Sequence, residues 1–183
     1  MQFILERTNS QCGGEVRELT DYRNKLIERL GTAVKEFQAA CLAVKDPYAP
    51  IEEGGWSVHQ AAVHARDVDK LVFDLRMRRT LAEDNPEFPN FDSEAYMTEH
   101  YDPHEPLRDL LEGFTKNVEA QVELLRGVPV EAWSRLSSHA TQGSGFTLQI
   151  WVERGLEHLE EHLATVKKVI TASNEDKQVE IQK

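Results

Sequence analysis

Cysteine is scarce in this chain: two residues in 183, Cys12 and Cys41. They make neither a metal-ligand spacing nor a disulfide framework, so a reducing compartment is expected, with the cytoplasm as the default. No run of 18 or more apolar residues occurs, which excludes a membrane-spanning helix. The opening stretch, Met1 to Arg7, has no basic leader and no long apolar segment, so no secretory signal is expected there. The 10 Gly and 7 Pro fall between periodic segments, against a fibrous or disordered chain. Positive charge is also short, 21 Lys and Arg against 32 Asp and Glu, a net of −11. Phosphate backbones and anionic lipid would repel such a surface, so neither nucleic acid nor membrane is an expected partner. A serine nucleophile elbow and a phosphate-cradling glycine loop are missing as well.

What is present is helical periodicity in four long segments. The first 14 residues, ending Cys12-Gly13-Gly14, read as a loosely held arm. Glu15 to about Val44 repeats Val16, Leu19, Leu26, Leu30, Val34, Phe37 and Leu42 at spacings near three and four. The second helix opens at Ser57, where Ser57 and Gln60 fit a capping box, and runs to about Ala82. A short helix is predicted between Ser93 and His100. The third long helix starts near Pro106 and ends at Arg126, with Gly127 as its C-terminal cap. Pro129 to Leu136 reads as one more short helix, and Ser138 to Phe146 as a loop. Thr147 caps the last helix, which reaches about Ala172. The expectation is an all-α protein, an antiparallel four-helix bundle over residues 15–172, flanked by the arm 1–14 and a polar tail, 173–183.

Helical wheels single out three histidines. On the last helix, His158 and His162 fall beside Trp151 and Val169, at the edge of the stripe made by Val152, Leu156, Leu159 and Leu163. On the second helix, His64 lies inside the arc of Ala61, Val68, Leu71, Val72 and Leu75. An i, i+4 pair of imidazoles can share one ion, and a third from a facing helix completes three nitrogen ligands with a position left open. Such a donor set suits Zn first, with Ni, Cu or Fe as alternatives. Two readings fit the wheels equally: a shared metal, or three core histidines each bonded to its own partner.

Other candidates follow from position. Asp67 can orient a ligand histidine or act as base toward water at the metal; its plainer reading is an ion-pair partner for a basic residue. Arg76, Met77, Arg78 and Arg79 form the one basic cluster, a candidate receiver of carboxylates but more simply a solvated helix end. His59, His100 and His104 read as exposed, as do Glu157 and Glu161. Cys41 has no neighbouring histidine to activate it.

Three signatures occur in order along the chain: Trp56-Ser57-Val58 with His64 downstream; Arg135-Leu136-Ser137-Ser138-His139 followed by Gly143 and Thr147-Leu148; and the closing His158-Leu159-Glu160-Glu161-His162. With them the chain resembles the DinB/YfiT-like superfamily of metal-dependent four-helix-bundle proteins, whose relatives include bacterial thiol-dependent S-transferases. The resemblance implies a down-up-up-down bundle with a long crossover, and a divalent metal held by His64, His158 and His162 at one end. It also implies a homodimer, and a small-molecule substrate handled by a thiol-dependent transferase or a hydrolase. His139 would line the pocket by its place in the second signature. The region Phe88 to Pro106 is expected near the pocket mouth, where substrate choice is made. The alternative is a non-enzymatic stress-response bundle that binds metal or a small ligand.

Overall fold

The computed structural model describes the backbone of residues 3–181 and the side chains of residues 17–172. Most of the expected arm and tail therefore lies outside the described side chains. The four long helices are α1 (Phe3–Ala43), a composite second helix, α5 (Leu107–Arg126) and α6 (Leu148–Ile181). The composite helix comprises α2 (Val58–Val68), a wide π turn (Asp69–Asp74) and α3 (Leu75–Ala82). Between it and α5 lies the short α4 (Ser93–His100).

The local signals in the sequence are realised as hydrogen bonds. The Gln60 amide donates to Ser57 Oγ and the Ser57 amide donates to Gln60 Oε1, closing the capping box. Gly127 ends α5, and the Ile150 amide donates to Thr147 Oγ1 at the start of α6. Val130–Ser134 is a 3₁₀ helix, within the span read as a short helix.

Helix directions follow from which residues meet. Tyr22, Arg29 and Glu36 of α1 bond Glu153, Glu160 and Lys167 of α6, a constant offset of 131 residues. Both series advance by sevens, two helical turns, so α1 and α6 run parallel. Lys35 pairs with Glu119, and Phe37 packs edge-on against Phe114, so α1 and α5 run antiparallel. His64 faces His158 while Phe73 lies against Gly155, so α2 and its continuation run antiparallel to α6. The composite helix and α5 are thus parallel. The bundle is up-down-down-up, the order that the resemblance implies, so the plain antiparallel arrangement read from periodicity holds only for some neighbouring pairs. Joining two parallel helices needs a long crossover, supplied by residues 83–106 and α4.

The all-α expectation also needs correction. A small sheet crosses one end of the bundle: β1 (Glu87–Phe88) pairs parallel with β2 (Leu136–His139), which pairs antiparallel with β3 (Gly143–Thr147). The segment read as a loop is therefore a hairpin. Its strands are rich in Ser and Gly and carry almost no apolar alternation, so the sequence holds no strand signal. Gly143 and Gly145 take φ values of 86° and 96°, a left-handed backbone that glycine tolerates. The hairpin buries Ser137, His139 and Phe146 on the core side.

The hydrophobic core runs the length of the bundle, with Phe37, Phe114, Leu110, Leu111, Leu125, Leu148 and Trp151 sealed from solvent. Trp151 donates its indole N–H to Ser137 Oγ at 2.8 Å, tying α6 to the sheet. Cys41 is buried in this core, and burial pushes its thiol pKa up to about 12, the opposite of an activated nucleophile.

Candidate metal centre

His64 sits two turns into α2, fixed in register by the capping box at Ser57. His158 and His162 project from one side of α6, four residues apart. The three meet where the composite helix crosses α6. His64 Nε2 lies 3.2 Å from His158 Nε2, and His162 Nε2 lies 3.2 Å from the same atom. The three donor atoms all fall within 4.8 Å of one another, a grouping that can hold a metal ion. Tetrahedral zinc with Zn–N bonds of about 2.0–2.1 Å sets its ligand nitrogens roughly 3.3 Å apart, close to what these rings show.

The three Nε2 atoms are not each bonded to a separate partner. An imidazole Nε2 offers one lone pair or one N–H, and His158 Nε2 faces two like atoms at once. Internal hydrogen bonding meets at most one of those contacts. Desolvation, then the neighbouring imidazoles, lowers the His158 pKa to about 3; desolvation and His64 lower that of His162 to about 4. Burial also lowers His64, which is 8% exposed, with the Asp67 charge acting the other way. All three rings are thus neutral near pH 7, the form that binds metal. His64 Nδ1 is buried with no hydrogen-bond partner, so this ring is held by packing, tilted against Trp56 at 4.9 Å between centroids. Phe73 packs on His158, and Gly155 makes room for it: a Cβ there would come within 3.3 Å of Phe73.

Asp67 is engaged by Arg66 Nε at 2.8 Å, and Arg66 also pairs with Glu105. The carboxylate is held by a basic neighbour and makes no hydrogen bond to His64. Arg78 pairs with Asp74, and Arg79 with Glu83, as expected of a solvated helix end. Arg76 departs from that expectation, being 8% exposed. The cause is the π turn. Twelve residues of uninterrupted α-helix would set Arg76 about 120° around the axis from His64. One extra residue absorbed in the wide turn reduces that to about 20°, onto the same face. The same rotation carries Leu75, placed on the apolar arc by the wheel, out to 46% exposure.

His64, His158, Arg76 and His139 line one cleft of about 290 Å³, with Asn90, Phe91 and Ser93 at its edge. The region Phe88 to Pro106 thus contributes to the pocket wall, and His139 joins it from β2. His59, read as exposed, is instead fully buried, its nitrogens 2.9 Å from Tyr101 Oη and 2.8 Å from the Glu105 carbonyl oxygen. Glu157, Glu161, His100 and His104 are exposed as expected.

An up-down-down-up bundle with three convergent histidines at a helix crossing defines the structural class. Neither a protein-family model nor a curated protein matches the sequence. Among solved structures the chain shares the fold of YfiT from Bacillus subtilis, with a TM-score of 0.75 and 21% identity, covering 83% of this chain and 87% of that one. YfiT is described as a probable metal-dependent hydrolase with an unusual four-helix bundle topology. The fold that the sequence resemblance implied is thus the one observed.

Proposed function

We propose that the chain is a metal-dependent enzyme acting on a small molecule, with His64, His158 and His162 holding one divalent ion. The observation that carries this reading is the meeting of three neutral Nε2 atoms at 3.2 Å contacts that no hydrogen-bonding scheme satisfies. Zinc is the first choice, with nickel or iron as alternatives, because the donor set is all imidazole. A bound divalent ion would supply a Lewis acid, lowering the pKa of water or of a thiol. The description of YfiT favours hydrolysis. A thiol-dependent transferase is the finer alternative, distinguished by a strict requirement for a low-molecular-weight thiol.

The protein's own residues divide the remaining work. Trp56 and Phe73 wall two of the rings against water. Asp67 is the candidate base; Arg66, itself paired with Glu105, holds its Oδ1, which leaves Oδ2 to accept a proton from water. The protein is read as a cytoplasmic homodimer whose catalytic domain spans residues 15–172. No helix among the described residues is long and apolar enough to cross a membrane.

Elemental analysis of the purified protein beside the H64A/H158A/H162A variant tests the site. Near-stoichiometric metal in the wild type, absent from the variant, is expected; equal metal in both overturns the assignment. Metal bound without turnover of any ester, amide or thiol substrate would favour the non-enzymatic reading.

A further inference from the structure

Arg76 is a buried cation without an anion. Its Nη2 donates to the Pro89 carbonyl at 3.1 Å and lies 3.3 Å from His139 Nε2. Its guanidinium stacks over Trp151 at 4.7 Å and over Phe88 at 5.7 Å. No carboxylate pairs with it among the described residues, whereas Arg78 and Arg79, on the same helix, each have one. A guanidinium has five N–H donors in a rigid fork. Here only Nη2 is used, and the free donors are not among the polar atoms sealed from solvent. In a chain of net charge −11, no Asp or Glu lines the cleft that Arg76 enters. A second cation, Arg154, lies close enough to lower the Arg76 pKa, after burial, to about 10, which leaves it charged at neutral pH. Arg154 itself is bonded to Gln142, a neutral side chain on the cleft wall.

His139 is arranged to keep this charge in place. It is 3% exposed, and burial together with Arg76 and Arg154 lowers its pKa, so it stands neutral. Its Nδ1 accepts from the Thr141 amide at 3.3 Å, and its Nε2 lies 3.3 Å from Arg76 Nη2. The Pro89 carbonyl orients the fork without cancelling its charge, and the aromatic faces of Trp151 and Phe88 fix its plane.

The geometry points to Arg76 as an anion-binding arm: the cleft takes a small molecule bearing a carboxylate, gripped by Arg76 while its other end reaches the three histidines. The position of the reacting end rests on the metal-centre reading; the anion site does not. A carboxylate is favoured because one Nη2 N–H goes to Pro89 and the other, with the N–H beside it, remains to meet two oxygens, and the cleft of about 290 Å³ is the size of a small metabolite.

The test uses full-length protein stripped of metal by chelator, titrated with glutarate, its neutral diamide and inorganic phosphate. Binding is read from shifts of the Trp151 indole N–H and His139 ring resonances. Glutarate is expected to bind the wild type and the diamide not. R76Q should weaken glutarate binding by about tenfold or more, with R76K intermediate, since it keeps the charge and loses the fork. R78Q removes the same charge from an exposed position and should bind as the wild type. Glutarate binding equal in wild type and R76Q, or absent from a folded wild type, overturns the proposal; binding of phosphate alone overturns the carboxylate assignment. H158A separates the two ideas. Loss of metal with glutarate binding kept supports both, while wild-type protein that takes up glutarate through Arg76 but never metal supports the anion arm and sinks the metal centre.

Discussion

Each of the three histidines occupies a place where an aliphatic side chain would pack without a polar penalty. Burial holds their folded-state pKa values below the ordinary value of 6.5, to about 3 for His158 and about 4 for His162. The unfolded chain therefore binds more protons than the folded one between about pH 4 and 6.5. It follows that the histidines contribute most to the stability of the metal-free protein above about pH 6.5, and that this contribution is lost as the pH falls toward 4. Thermal melts of chelated protein from pH 7.5 to 4.5 should show a fall in Tm of several degrees, shallower in H158Q. A wild-type Tm that falls no more steeply than that of H158Q would contradict the neutral assignment. The wheels found these residues because i, i+4 spacing is a local property. They missed His59, whose burial depends on Tyr101 and the Glu105 carbonyl, more than forty positions away.

The π turn is the element that shapes the cleft. Its first residue, Asp69, is buried, and Oδ2 accepts from Asn117 Nδ2 and Gln121 Nε2 of α5, each at 2.7 Å. Desolvation, opposed by these two hydrogen bonds, raises the Asp69 pKa from 3.8 to about 7. The sign here is opposite to that of the histidines: the folded state holds a proton that the unfolded state has released, so stability falls as pH rises from about 4 to 7 and then levels. Gln121 Oε1, buried without a partner, can accept from an amide placed at position 69. D69N should therefore raise Tm at pH 8 and gain less, or nothing, at pH 5, as differential scanning calorimetry at the two values would show. An equal change at both would mean that Asp69 is not protonated in the fold. A wheel drawn at 100° per residue cannot register such a turn, which is why Arg76 reads as solvated and Leu75 as core from the sequence.

Across the whole molecule, the three-histidine cluster proposed to hold a metal joins α2 to α6 over 94 residues of chain. An ion that binds only the folded state stabilises it by mass action, about 2.7 kcal/mol at a hundredfold excess over Kd. For a chain of this length that corresponds to a rise in Tm of about 5–10 °C on adding zinc. The triple-histidine variant should melt cooperatively and show no rise, since the core of Phe37, Phe114 and Leu148 does not involve the site. A shift of equal size in the variant would place the stabilising ion elsewhere.

The amino-acid sequence by itself determined the helices and most of their ends: the Ser57–Gln60 box, the Ser93–His100 helix, the Gly127 stop, the Thr147 start and the spacing of His158 and His162. All of these are decided by groups within a turn of one another, so a local pattern contains them. The parallel pairing of α1 with α6, the strands at Glu87–Phe88 and Leu136–Thr147, and the burial of Arg76 were decided only in the tertiary structure. Directions depend on which distant faces bury against each other. The strands exist because an edge at Glu87 meets Ser138. Arg76 is turned inward by one extra residue in a helix, which leaves no mark in hydrophobic periodicity because the packing of α3 on α6 selects it.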